Sequence, residues 1–123
     1  MSIYTMGIDV GSTASKCVIL KDGSEIVAKS LVAVGTGTSG PSRAIAQVLE
    51  IAGMTREQMD FVLATGYGRN SLDGLADMQM SELSCHAKGA AFLFPNVRTV
   101  VDIGGQDVKG IEIENGLMKN FVM

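Results

Sequence analysis

Tryptophan is absent from these 123 residues, and proline and cysteine each occur only twice. Lysine and arginine number 10 against 13 aspartates and glutamates, which leaves a net charge of −3. Each scarcity excludes something. Two cysteines, Cys17 and Cys85, in no metal-like spacing, exclude a disulfide framework, and a reducing, cytoplasmic setting is the expectation. The shortage of basic residues excludes the positive face that nucleic-acid binders display. No apolar run approaches the roughly 20 residues that span a bilayer. The opening "MSIYTMGIDVG" lacks the basic start and apolar middle of a signal peptide. Neither a membrane nor a nucleic acid is therefore expected as a partner.

What is present is a globular balance, 46% hydrophobic and 19% charged, with 15 glycines. An acidic chain of this kind can still hold a polyanion such as ATP. It then needs backbone N–H groups, a helix end or a metal ion in place of a basic field.

The pattern along the chain predicts strands at Ile3–Asp9, Lys16–Leu20 and Glu25–Val34, forming an antiparallel meander with an Asp-Gly turn at 22–23. "GTGTSGPS" at 35–42 is a connector. Ile45, Val48, Leu49 and Ala52 then recur at helical spacing, closed by Gly53. A short strand at Phe61–Thr65 is expected to be buried on both faces. "GYGRN" follows as a loop, then a short helix over 71–76 and a strand over 78–80. Ser81 starts a second helix whose apolar face is Leu83, Ala87, Ala90, Ala91 and Phe94, and Pro95 stops it. Arg98–Ile103 opens another strand. The order β-β-β-α-β-α-β-α predicts an α/β fold of the ribonuclease-H-like kind, a mixed sheet with flanking helices. Residues 1–96 would form that domain, and 97–123 the first three strands of a second.

The second stretch restates the first. "DIGGQDVKGIEIENG" (102–116) matches "DVGSTASKCVILKDG" (9–23) at a constant offset of 93, so that Asp9 meets Asp102, Gly11 meets Gly104, Lys16 meets Lys109 and Gly23 meets Gly116. Apolar positions follow: Ile8 with Val101, Val10 with Ile103, Val18 with Ile111, Leu20 with Ile113. Each copy puts an aspartate at a strand end with glycine two residues later. Glycine admits the backbone close to a ligand, and successive N–H groups in such a turn form an anion-binding nest. The carboxylate beside it would repel a phosphate unless Mg²⁺ lies between, held through water. Ser12 and Thr13 add hydroxyls and Gln106 an amide. Lys16 and Lys109 read equally as phosphate contacts or as solvated strand-edge lysines.

"GIDVGSTASK" and "VVDIGGQD" resemble the two phosphate motifs of the actin, heat-shock chaperone and sugar-kinase superfamily. With "ATGYGRNSL" and "MSELSCHAKGA" in the same order, the chain more closely resembles the ATPase activator component of 2-hydroxyacyl-CoA dehydratases, related to the ATPase subunits of benzoyl-CoA reductase. The resemblance implies two domains closing over ATP or ADP, a homodimer with one 4Fe–4S cluster at its interface, and ATP-driven electron transfer to a dehydratase partner. Carried over by position, Asp9 and Asp102 would be the Mg²⁺-associated carboxylates. Gly11, Ser12, Thr13, Lys16, Gly104, Gly105 and Gln106 would line the phosphates. Glu82 would orient the attacking water, or else serve as a favourable carboxylate at a helix start.

The chain departs from that family in lacking the cluster cysteines and the adenosine-binding region. Cys17 reads as core, and Cys85 on two chains would not make four ligands. Tyr67 and Arg69 lie in a loop that could meet a substrate or a partner, or could be ordinary surface. Two other readings stay open. One is a truncated or engineered half-module that self-associates through exposed strands. The other is a sugar- or acetate-kinase-like phosphotransferase.

Overall fold

The computed structural model describes residues 1–34, 39–72, 74–104 and 107–123. Its contacts divide the chain into two units, Met1–Met80 and Ser81–Met123.

The first unit is a five-stranded mixed sheet. Strands β1 (Tyr4–Val10), β2 (Ser15–Lys21) and β3 (Glu25–Val32) form the expected meander. The turn between β2 and β3 is set by Asp22 and Gly23, both at positive φ (54° and 72°). β4 (Phe61–Thr65) joins β1 in parallel, and a two-residue β5 (Met78–Gln79) joins β4, giving the order β3-β2-β1-β4-β5. Helix α1 (Gly40–Ala52) carries Pro41 in its first turn, where a missing N–H costs nothing. It ends at Gly53 in the left-handed region (φ 66°), whose N–H reaches the Glu50 carbonyl.

Alternation along the strands decides the core. Met6, Ile8 and Val10 of β1, Cys17 and Ile19 of β2, and Val62 and Ala64 of β4 share one face, and Ala44 and Val48 of α1 are buried with them. Asp9 lies between Ile8 and Val10 and so points to the opposite face. β4 differs from expectation: Val62 and Ala64 are fully buried, but Phe61 is 40% exposed, so only one face is sealed. The helix expected over 71–76 is instead a 3-10 turn at Arg69–Leu72. Another 3-10 turn, Arg56–Gln58, was not foreseen. Thr55 and Gln58 close it with a capping box, the Gln58 carboxamide accepting from the Thr55 N–H at 2.8 Å.

The second unit holds helix α2 (Glu82–Leu93) and an antiparallel sheet of β6 (Thr99–Ile103), β7 (Val108–Glu114) and β8 (Leu117–Val122). The Ser81 hydroxyl caps α2 by accepting from the Ser84 N–H at 3.3 Å. The contact boundary falls at 80/81, before α2, and not at the 96/97 division drawn from element order. The reason is packing. Leu83, Ala87 and Ala90 of α2 close over Ile111 and Ile113 of β7 and Met118 of β8. Phe94, expected on that face, is the residue after the last turn and is 66% exposed.

The offset of 93 holds in three dimensions. Asp9 pairs with Lys16 across β1–β2, and Asp102 pairs with Lys109 across β6–β7. The register slips between Ile19 and Leu20 in one copy and between Glu112 and Ile113 in the other. Asn115 and Gly116 repeat the positive-φ turn. One feature is inverted. The face that α1 covers in the first copy carries Ile8 and Val10, whose equivalents Val101 and Ile103 are 64% and 77% exposed. In the second copy α2 covers the other face, the one that holds Asp102 and Lys109.

Candidate functional site

In the first unit the site residues gather where β1 runs into β2. Gly11 turns the chain tightly, its N–H donating to the Ala14 carbonyl at 2.9 Å. A Cβ there would lie 2.9 Å from that same oxygen, so the position suits glycine. Ser12 and Thr13 are exposed at the tip of the turn. Lys16 Nζ stands 3.1 Å from Asp9 Oδ2, with both side chains more than a third exposed. A pair this open contributes little stability, about 0–1 kcal/mol. Its consequence is orientation of the carboxylate. Beneath the turn, the buried Ser15 hydroxyl donates to the Val34 carbonyl at 2.9 Å.

Gly66, the first residue of "GYGRN", belongs to this site and was not foreseen in it. Its φ is +92°, and a Cβ would come within 2.5 Å of Asp9 Oδ1 and of the Val10 carbonyl. Next to it the Gly68 N–H donates to the Val10 carbonyl at 2.9 Å, and Arg69 Nη1 donates to the Gly66 carbonyl at 3.0 Å. The loop thus lies against the end of β1, with Asp9 Oδ1 turned toward it and Oδ2 toward Lys16. Glycine at both 66 and 68 was the available sequence signal. Their proximity to Asp9 comes from the parallel β1–β4 pairing, which composition cannot reveal. Tyr67 is 61% exposed on the same loop.

In the second unit the equivalent turn repeats, the Gly104 N–H donating to the Asp107 carbonyl at 2.9 Å. Gly105 and Gln106 lie outside the described residues. The surroundings are otherwise different, because α2 covers this face. Lys109 is buried, 6% exposed. Its Nζ lies 3.1 Å from Glu82 Oε1, 3.2 Å from Asp102 Oδ2 and 3.9 Å from Asp107 Oδ1. His86 Nδ1 stands 3.7 Å from Asp102 Oδ2. Burial works against the charge on Lys109. The hydrogen bonds and charges of Glu82 and Asp102 outweigh it and hold the ammonium above its ordinary value. The structure therefore joins Glu82 and Asp102, both read from sequence as site residues, through a lysine left undecided there. His86 and Asp107 are further residues here that the sequence did not bring to this place.

The two cysteines are apart in role. Cys17 sits in the core of the first unit, where burial pushes its thiol up to about 11, partly offset by a hydrogen bond with Ser30. Cys85 is partly exposed on α2. Among the described residues no group of three or more His, Cys, Asp or Glu forms a metal cage, and no helix is long and apolar enough to cross a membrane.

Two aspartates at equivalent strand ends, each followed by a glycine turn and paired with a cross-strand lysine, define a duplicated strand-turn-strand unit. The chain belongs to the BadF/BadG/BcrA/BcrD ATPase family, which matches residues 6–123. It is 76% identical over 123 residues to the (R)-2-hydroxyglutaryl-CoA dehydratase activating ATPase of Acidaminococcus fermentans, covering all of this chain and 47% of that protein. The crystal structure of that dehydratase's component A superposes with a TM-score of 0.93 over 97% of this chain and 46% of the other. The activator of the 2-hydroxyisocaproyl-CoA dehydratase from Clostridium difficile, solved with bound ADPNP, is 51% identical, with a TM-score of 0.92 over 98% of this chain and 45% of that one. The chain spans about half the length of the curated relatives it matches.

Proposed function

We propose that this chain carries the phosphate-binding half of an ATPase that activates a 2-hydroxyacyl-CoA dehydratase by ATP-driven electron transfer. The single observation that carries the reading is the duplicated hairpin, with Asp9–Lys16 and Asp102–Lys109 at the same register positions. Family membership and the ADPNP-bound relative support it. The sheet order β3-β2-β1-β4-β5, with β1 antiparallel to β2 and parallel to β4, supports the ribonuclease-H-like class. Read as a duplication, the second copy begins at Val97, the position equivalent to Tyr4.

Asp9 fits a role beside Mg²⁺. It offers hard oxygen donors and is part-exposed, and its Oδ1 lies against Gly66, where a Cβ would crowd it. Mg²⁺ takes few protein carboxylates and completes its shell with phosphate oxygens and water, so no protein cage is required. When bound, the ion would offset the negative charge of the phosphates. Asp9 and Asp102 would hold it through water. The N–H groups of the turns at Gly11 and Gly104 and the hydroxyls of Ser12 and Thr13 would bind phosphate oxygens. Gly105 and Gln106 would join them, and Lys16 would swing from Asp9 toward the nucleotide. Glu82 would orient the attacking water and accept its proton.

A 4Fe–4S cluster does not fit this chain's own residues. It needs four thiolates, and the chain has one buried high-pKa thiol and one on α2. A cytoplasmic setting and a dehydratase partner follow from the same reading. Homodimerisation has one specific support, the exposed apolar side chains Val101, Ile103 and Val108.

Phosphate release from Mg·ATP tests the reading. Slow release that Glu82→Gln or Asp102→Asn abolishes is expected. Release unaffected by both substitutions would reject it.

A further inference from the structure

The two lysines of the repeat occupy the same register position and yet do different things. Lys16 lies on a face where it is 46% exposed and meets one carboxylate, Asp9. Lys109 lies on the face that α2 covers, is 8% exposed at its side chain, and meets Glu82 and Asp102 within 3.2 Å, with Asp107 at 3.9 Å. Glu82 comes from the first turn of α2, Asp102 from the end of β6, and Lys109 from β7. One buried ammonium therefore ties together three separate elements. A lysine engaged in this way is not available to reach for a phosphate. It lies within hydrogen-bond reach of two carboxylates, and withdrawing it would leave them without their shared cation.

We propose that Lys109 is a positioning residue: it fixes the spacing between the Glu82 and Asp102 carboxylates and takes no part in holding the nucleotide. The inference rests on the proposed function in assigning Glu82 and Asp102 to the reaction. It explains why the duplicated lysine has two roles. The first-copy lysine is half-exposed, where a ligand can take it. The second-copy lysine is committed to the frame. His86 Nδ1 stands 3.7 Å from Asp102 Oδ2, the same oxygen that meets Lys109.

The experiment compares Lys109→Met, Lys109→Arg and Lys16→Met in the full chain, with circular dichroism confirming that each folds. For Mg·ATP hydrolysis, Lys109→Met is expected to lower kcat at least tenfold with KM held, and Lys109→Arg to restore most of it. Lys16→Met is expected to raise KM. A rise in KM with kcat kept for Lys109→Met, or no rescue by arginine, would overturn the proposal. Should the wild-type chain not turn over Mg·ATP, the proposed function fails for this chain, and the inference is then decided without nucleotide. The carboxyl ¹³C resonances of Glu82 and Asp102 must both move in Lys109→Met and stay near their wild-type shifts in Lys109→Arg. If Lys109→Met does not fold, the arginine variant decides alone, because carboxyl resonances displaced as far as those of an unpaired carboxylate would show that the ammonium does not set the spacing.

Discussion

Among the described residues, the fold moves the titration of Cys17 and of Lys109 upward. A group whose folded pKa is raised stabilises the fold below its ordinary value and loses that contribution as pH climbs through the folded value. For Cys17 the window runs from the ordinary thiol range, about 8.5, to about 11. Denaturant midpoints should therefore fall across that window, and Cys17→Ala should flatten the decline. For Lys109 the same sign applies above the ordinary lysine range. At neutral pH a thiol reagent should label Cys85 in the folded chain and Cys17 only on unfolding, which mass spectrometry reads directly. Lys109→Met should be costly, at the lower end of the roughly 3–5 kcal/mol typical of a broken buried pair, because its carboxylate partners retain some solvent. The sequence displayed Asp9, Gly11, Lys16 and Asp102 because each sits in a motif with local geometry. It could not display the burial of Lys109 or the nearness of His86. Those depend on which face α2 covers, and that is settled by packing between distant segments.

At the scale of elements, the periodicities were informative where local chemistry reinforced them. Gly53 closed α1, Ser81 capped α2, and Asp-Gly and Asn-Gly made the turns, all as their types require. The periodicities misled where contacts outweighed them. A helical reading of 71–76 gave way to a 3-10 turn, and Phe94 ended α2 facing out. The loop after β4 is the most consequential case. Gly66 combines a positive φ with a backbone approach that leaves no room for Cβ. Gly66→Ala should cost at least the roughly 1–2 kcal/mol of the left-handed penalty, seen as a lowered Tm. It should also displace the Asp9 carboxylate and weaken Mg·ATP binding. A Gly53→Ala control carries similar positive-φ strain with open space around it, and should lower Tm while sparing binding.

Over the whole chain, the repeat was legible at once because its offset is constant and gap-free, while the inversion of covered faces was not. α1 seals the face of Ile8 and Val10, but the equivalent Val101 and Ile103 stand exposed. A bare apolar sheet face with open edges seeks a partner. Sedimentation should show concentration-dependent association of the wild-type chain. Val101→Lys with Ile103→Glu should shift it toward monomer, and a wild-type chain that stays monomeric at high concentration would count against this face as an interface. On the proposed function, Asp9 and Asp102 both serve Mg·nucleotide binding. Calorimetric titration of Mg·ATP into wild type, Asp9→Asn and Asp102→Asn tests it most directly. Saturable binding is expected that each substitution weakens about tenfold, or about 1.4 kcal/mol, and that removal of Mg²⁺ abolishes. Binding untouched by either substitution, or no binding by the wild-type chain, would contradict it.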